Sequence, residues 1–183
     1  MSLLAPYDPR WPAQAASEIL RWQAHVPGLT AVHHIGSTAV IDMPAQPVID
    51  LMAVFAYAGA ADAAQRPLAA MGYIWQPEAP VPHHRFAILD DPESGQPRVT
   101  ARLYVAGQPA IRAHLATRDA LQADAALRGG YVAEKAACAA RFPEGGPAYA
   151  ACKATWFNRP EIEDRLAAAA RARATQPDTG PSA

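Results

Sequence analysis

Apolar residues recur at helical spacing at Ala15, Ile19, Trp22 and Val26, so residues 8–26 read as an amphipathic helix ended by Pro27-Gly28. Asp8 is placed as its cap, with Pro9 and Pro12 tolerated in the first turn. Residues 30–35 are aliphatic and β-branched and read as a strand, followed by the polar turn Gly36-Ser37-Thr38. A second strand-like run, 47–55, carries one carboxylate, Asp50. Residues 60–71 read as a helix interrupted at Pro67 and closed by Gly72, and 72–75 as a short strand. A Pro-rich loop over 77–82 precedes two strands, 84–89 and 98–105, joined as a hairpin by the polar segment 90–97. From Pro109 the pattern turns helical over 109–128, 130–142, 147–158 and 161–173, and the Pro/Ser/Gly-rich tail 175–183 reads as disordered. Strands early and helices late predict an α/β, α+β-like domain with one mixed sheet and a helical C-terminal part, spanning 1–174.

Composition narrows the partners. Charged residues make up 18% of the 183 positions and the net charge is −1, so no basic field exists to hold a nucleic-acid backbone. No apolar run is long enough for a membrane span, and no signal-peptide pattern opens the chain. Cys138 and Cys152 both fall in helical patterns and read as small core residues of a cytoplasmic protein rather than a disulfide framework. Trp11, Trp22, Trp75 and Trp156 read as core or pocket wall.

The candidate chemistry starts at Asp50. Metal-dependent nucleotidyl transfer uses carboxylates at i and i+2 on a strand, because alternate residues share a face and can hold divalent ions together. Here the i+2 position is Met52, and RVTARLYV at 98–105 contains no acid. Asp50 therefore reads either as a single metal ligand or as a carboxylate bonded to the Gly36-Ser37 turn. Backbone N–H groups of that turn, with the Ser37 hydroxyl, can hold a phosphate; a plain turn is the alternative. The pairs His33-His34 and His83-His84 suggest metal ligands, but neighbours on a strand point to opposite faces, so hydrogen-bonded or surface histidines are the default. Arg118 shares a helical stripe with Ile111 and Leu115, Lys135 with Tyr131, Cys138 and Phe142, and Lys153 with Tyr149 and Trp156. A cation on an apolar face is costly unless it is paired or reaches water. Pairing with Asp119 or Glu134 accounts for any one of them. Taken with Arg102 on a strand, the set predicts a convergent cationic pocket for a small anion.

With these residues on the page, the chain resembles the GrpB family, which belongs to the nucleotidyltransferase superfamily by fold, over residues 6–157. The resemblance rests on PYDPRWP at 6–12, HIGSTAV at 34–40, PVIDL at 47–51 and Arg118-Asp119, with Lys135 and YAACK at 149–153 in support. It implies a nucleotidyltransferase-like α/β core and makes Mg²⁺ at Asp50 the cofactor to look for. Two stretches depart from the family pattern. Ile41-Asp42-Met43 and Ala45-Gln46-Pro47 stand where the family tends to read Pro-Gly-Leu and Ala-Lys-Pro, and Arg102-Leu103-Tyr104-Val105 where it reads His-Leu-His-Val.

Two functions follow as expectations. The first is an enzyme acting on a small anionic or nucleotide-like substrate, by nucleotidyl transfer or by metal-independent acid–base chemistry. Asp50, Ser37, Tyr104 and Arg102 would carry the chemistry, and His34, Gly36, Ser37, Thr38, Arg118, Lys135 and Lys153 would bind the substrate. The second is a binding module that kept the pocket and lost the chemistry.

Overall fold

The computed structural model describes residues 3–76 and 85–174. The Pro-rich loop, His83-His84 and the C-terminal tail lie outside those residues. Strands β1 (Leu29–Ile35), β2 (Ile49–Phe55), β3 (Ile74–Gln76), β4 (Arg85–Asp90) and β5 (Pro97–Val105) form one sheet in the order β1-β2-β5-β4-β3. The inner pair β2 and β5 is parallel and the remaining neighbours are antiparallel, so the sheet is mixed, as the sequence predicts.

Strand β2 is buried along its whole length except at Asp50. It reads as a continuous apolar run because both of its faces are covered. Ile49, Leu51, Ala53 and Phe55 pack, with Val99, Ala101 and Leu103 of β5, into the core beneath α1 (Trp11–His25), α2 (Ala58–Ala63) and α3 (Gln65–Ala70). On the other face Met52 joins Ile35, Tyr104 and Leu115 beneath α4 (Pro109–Ala123). Helix α1 is tied down by a buried chain of hydrogen bonds: Trp22 Nε1 donates to the Tyr73 hydroxyl at 2.8 Å, and that hydroxyl donates to Glu18 Oε1 at 2.9 Å.

The later helices are α5 (Ala125–Arg141), α6 (Gly146–Phe157) and α7 (Pro160–Ala174). Val40 and Met43, just after the Gly-Ser turn, pack with Leu121, Leu127, Tyr131, Trp156 and Ile162, so the helical part is built onto the turn itself. Helix α7 packs along α4, fastened by Arg173–Asp119 and Arg165–Asp124 ion pairs. No helix among the described residues is long and apolar enough to cross a membrane.

Several boundaries differ from the sequence reading. Asp8 does not cap α1; Arg10 holds that position, and the Asp8 carboxylate instead accepts from the Arg10 N–H and guanidinium. The break between α2 and α3 falls at Ala64, and Pro67 sits in the first turn of α3, where a missing N–H costs nothing. The long helix expected over 109–128 stops at Ala123 because the Asp124 carboxylate accepts from the Leu127 N–H and starts α5. Helix α5 then runs through Gly129-Gly130, since burying Leu127, Tyr131 and Cys138 on one face outweighs the roughly 1 kcal/mol cost of each glycine. The cysteine expectation is overturned as well. Cys138 and Cys152 form a disulfide joining α5 to α6. The turn between these helices brings the two residues to a Cα–Cα distance of 5.9 Å, a meeting of helix faces that composition cannot reveal.

Candidate functional site

A cavity of about 600 Å³ opens on the face of the sheet that carries Asp50. The sheet supplies Asp50, Thr100, Arg102, Phe86 and Ile88; the turn supplies Ser37 and Thr38; α5 supplies Lys135; α6 supplies Gly146, Pro147, Tyr149, Ala150 and Lys153. Register explains the floor. Asp50 lies beside Thr100 across the parallel pair, and Thr100 Oγ1 donates to Asp50 Oδ1 at 2.5 Å. Arg102, two residues further along β5, shares that face and places Nη1 3.2 Å from the same oxygen. Its guanidinium also lies over the Phe86 ring, 5.5 Å from the centroid.

Gly36 makes the turn possible. Its φ is +74°, and a Cβ built there would lie 2.4 Å from Asp50 Oδ2. Both the left-handed backbone and the close approach to the carboxylate require glycine. Just past the turn, Val40 and Met43 pack with Tyr131 of α5, which ties the turn to the helical part.

The helices form the other wall. On α6, Gly146, Tyr149, Ala150 and Lys153 share one face, so the helix presents both its N-terminal turn and a lysine to the cavity. Lys135 is 1% exposed, donates to the Pro44 carbonyl and lies 5.2 Å from the Tyr131 ring centroid. Burial, reinforced by the charge of Lys153, pushes its ammonium down to about 7. Lys153 sits 4.2 Å from the Tyr149 centroid, and burial lowers it too, with Asp50 opposing the shift and Arg102 adding to it. The Tyr149 hydroxyl is buried without a hydrogen-bond partner among the described residues, and burial pushes it up to about 12. Among the described residues, three cations and one carboxylate thus line the cavity. Tyr149 also lines the cavity, although its hydroxyl is itself buried.

Asp50, Ser37, Thr38, Arg102, Lys135 and Lys153 therefore line one cavity. Four other candidates do not line this cavity: Gly36 shapes the turn against Asp50, and Tyr104, Arg118 and His34 lie elsewhere. Tyr104 is buried under α4, with its hydroxyl 3.0 Å from His114 Nε2. Arg118 donates to the His34 carbonyl at 3.1 Å and pairs with Asp119, which pins α4 to the end of β1. His34 lies opposite Leu51, on the other face of the sheet from Asp50, and its Nε2 is 2.9 Å from Thr38 Oγ1. Burial, with Arg118 adding to it and Asp50 opposing, drops its imidazole to about 4, so the ring is neutral at ordinary pH. Thr100, Gln46 and Tyr149 also line the cavity and were missed. Thr100 was legible as the i−2 neighbour of Arg102 on a strand, and Tyr149 as the i−4 neighbour of Lys153 on a helix.

The ion implied by the family resemblance, Mg²⁺, makes a strict demand on this donor set. That ion needs a near-octahedral shell of hard oxygens, normally with more than one carboxylate nearby. Among the described cavity residues Asp50 is the one carboxylate, its Oδ1 already accepts two hydrogen bonds, and the other charges are cationic. These side chains do not by themselves make a divalent-ion site. Glu134, Cys138 and Cys152 also cluster closely enough to share a metal, but the two sulfurs are joined to each other.

A sequence profile of the GrpB protein family matches residues 3–163. The chain belongs to the GrpB family. Among solved structures, GrpB from Enterococcus faecalis superposes with a TM-score of 0.78 at 23% identity, covering 93% of this chain and 98% of that one. The fold also resembles Cid1 in complex with its short product ApU, at a TM-score of 0.54 and 16% identity over 81% of this chain and 48% of that one. Curated relatives include UPF0157 protein YqkA of Bacillus subtilis, 30% identical over 74% of this chain and 38% of that protein. A dephospho-CoA kinase of Mycolicibacterium paratuberculosis is 32% identical over 84% of this chain and 44% of that protein. The chain thus spans between 38% and 44% of the length of these two relatives. In GrpB terms the departures noted in the sequence now have places. Asp42 adopts φ +62°, a conformation that favours glycine, whereas Gln46 and Arg102 line the cavity.

Proposed function

We propose that the cavity binds a small anionic, nucleotide-like molecule and acts on it as an enzyme. The observation that carries this reading is the convergence of Arg102, Lys135 and Lys153 on one cavity that also holds Asp50. Burying cations is unfavourable without a compensating charge, and here one carboxylate faces three of them. A phosphate-bearing ligand supplies the missing negative charge, and the N-terminal turn of α6 offers it hydrogen bonds. Phe86 and Ile88 give an apolar wall for the rest of the molecule. The resemblance to Cid1 solved with ApU and with a UTP analog adds support for a nucleotide-like ligand. In this reading Asp50, held by Thr100 and Arg102, accepts a proton from a substrate hydroxyl, and Arg102 and the lysines stabilise charge on the phosphate.

Calorimetry and thermal shift with UTP, ATP, UMP and pyrophosphate test the binding half. The expected result is micromolar to submillimolar binding that is lost in Lys153→Met; absence of binding by all four at millimolar concentration would end the proposal. Asp50→Asn tests the chemistry: an enzyme keeps its affinity and loses turnover.

A second reading has its own observation. Met52, at the position where a second acid would stand, is fully buried beneath Ile35, Tyr104 and Leu115. Its side chain is part of the core, so the one-acid floor is built in. A binding module with no turnover fits that floor. It predicts that Asp50→Asn binds the anion more tightly, through the loss of a repelling charge, and that the wild type turns over none of the ligands it binds.

A further inference from the structure

We infer that Cys138 and Cys152 form a reversible thiol–disulfide site that controls the anion cavity. This rests on the anion-binding reading above, but the link between disulfide and cavity is structural. Lys135 and Cys138 are one turn apart on the buried face of α5, and Cys152 immediately precedes Lys153 on α6. The bond therefore joins the two helices that supply the cavity's lysines.

What else holds α6 is unevenly distributed. Its C-terminal half is anchored by Trp156 and Phe157 against the Tyr131 ring, with centroids 4.9 and 4.8 Å away. The Arg159–Glu134 ion pair lies just beyond that end. Its N-terminal half carries Gly146, Tyr149 and Ala150, and of these Tyr149 is the one deeply buried side chain. That phenol has no hydrogen-bond partner among the described residues. Gly145 and Gly146 enter the helix at φ +73° and +70°, conformations that side-chain-bearing residues rarely hold. The disulfide is thus the strongest tie between α5 and the cavity-lining half of α6.

The two cysteines differ in burial. Cys138 is fully buried and Cys152 is partly exposed. A cellular dithiol would attack the Cys152 sulfur as a thiolate, expelling the Cys138 thiolate, which takes up a proton. The second thiol of the reductant then attacks the mixed disulfide and releases the Cys152 thiol. The reductant leaves as its own disulfide, and its two electrons and two protons end on the two cysteines. With the staple open, the first two turns of α6 are free to move away from α5, which carries Tyr149 away from Lys135 and loosens the turn that holds Lys153. The oxidised form is the tight-binding state and the reduced form the weak one. By linkage, a bound anion protects the disulfide from reduction.

The experiment compares air-oxidised protein, dithiothreitol-reduced protein and the Cys138→Ser/Cys152→Ser variant. It reads amide hydrogen exchange over residues 146–153, inorganic pyrophosphate affinity by calorimetry and the thiol count. The expected result is no free thiol in the oxidised protein, at least tenfold faster exchange in that segment on reduction, and at least tenfold weaker pyrophosphate binding. Exchange over 49–55 stays unchanged, and the double variant behaves as reduced protein with or without dithiothreitol. Two free thiols in the oxidised protein, or equal exchange and equal affinity in both redox states, would overturn the inference. Faster exchange on reduction with no pyrophosphate bound by either form would overturn the anion reading instead and leave redox control of α6 standing.

Discussion

Replacing Lys135 by methionine is expected to stabilise the protein, and the size of the effect depends on pH. The ammonium is 1% exposed and held down to about 7 from 10.5 by burial and by Lys153. At ~1.4 kcal/mol per pH unit, that difference means the fold disfavours the charged form by about 5 kcal/mol. Methionine has similar length and no charge, so below pH 7 the variant escapes this cost. Against it stands the Pro44 carbonyl, which loses its donor at a cost of about 1–3 kcal/mol. The net expectation at pH 6 is a variant more stable by about 2–4 kcal/mol. The sign with pH follows from the protons. Between about 7 and 10.5 the unfolded lysine keeps a proton that the native one has released, so wild-type stability rises with pH across that window. The variant lacks this contribution, and its advantage shrinks steadily towards pH 10. Urea denaturation of both proteins at pH 6, 7.5 and 9 measures the difference, and titrations common to both cancel. A variant less stable than wild type at pH 6, with the same pH slope, would show that Lys135 is a stabilising charge and that no missing anion is needed to explain it.

Other outcomes follow from single features. Gly36→Ala places a Cβ 2.4 Å from Asp50 Oδ2 at φ +74°, so a loss of about 2–4 kcal/mol is expected by denaturant titration, together with loss of anion binding. His34 is neutral in the fold until about pH 4, whereas the unfolded ring protonates near 6.5; wild-type stability should therefore fall by up to about 3 kcal/mol between those values, and His34→Gln should flatten that part of the acid-denaturation curve. Tyr73→Phe leaves Trp22 Nε1 and Glu18 without their shared partner and should cost about 1–3 kcal/mol by urea denaturation without altering the cavity. Asp42→Gly relieves the positive φ at an exposed turn and should raise stability by up to about 1 kcal/mol, read as a small increase in Tm.

Much of this architecture is written locally. Alternating and continuous apolar runs mark the strands, 3.6-residue periodicity marks the helices, and HIGSTAV followed by PVIDL marks the family, because each signal is carried by neighbours along the chain. The i+2 spacing on β5 put Arg102 on a definite face, and helical stripes already set Lys135 and Lys153 against apolar neighbours. Adjacency between segments was not legible. Arg118 looked like Lys135 and Lys153 in sequence, yet it clamps a backbone carbonyl of β1 rather than lining the cavity. Tyr104 sits two residues beyond Arg102 on the same face, yet α4 covers one and leaves the other open. Cys138 and Cys152 meet because α5 and α6 are packed side by side. Which helix covers which part of a sheet depends on packing among residues far apart in the chain, and a pattern read along one segment cannot contain it.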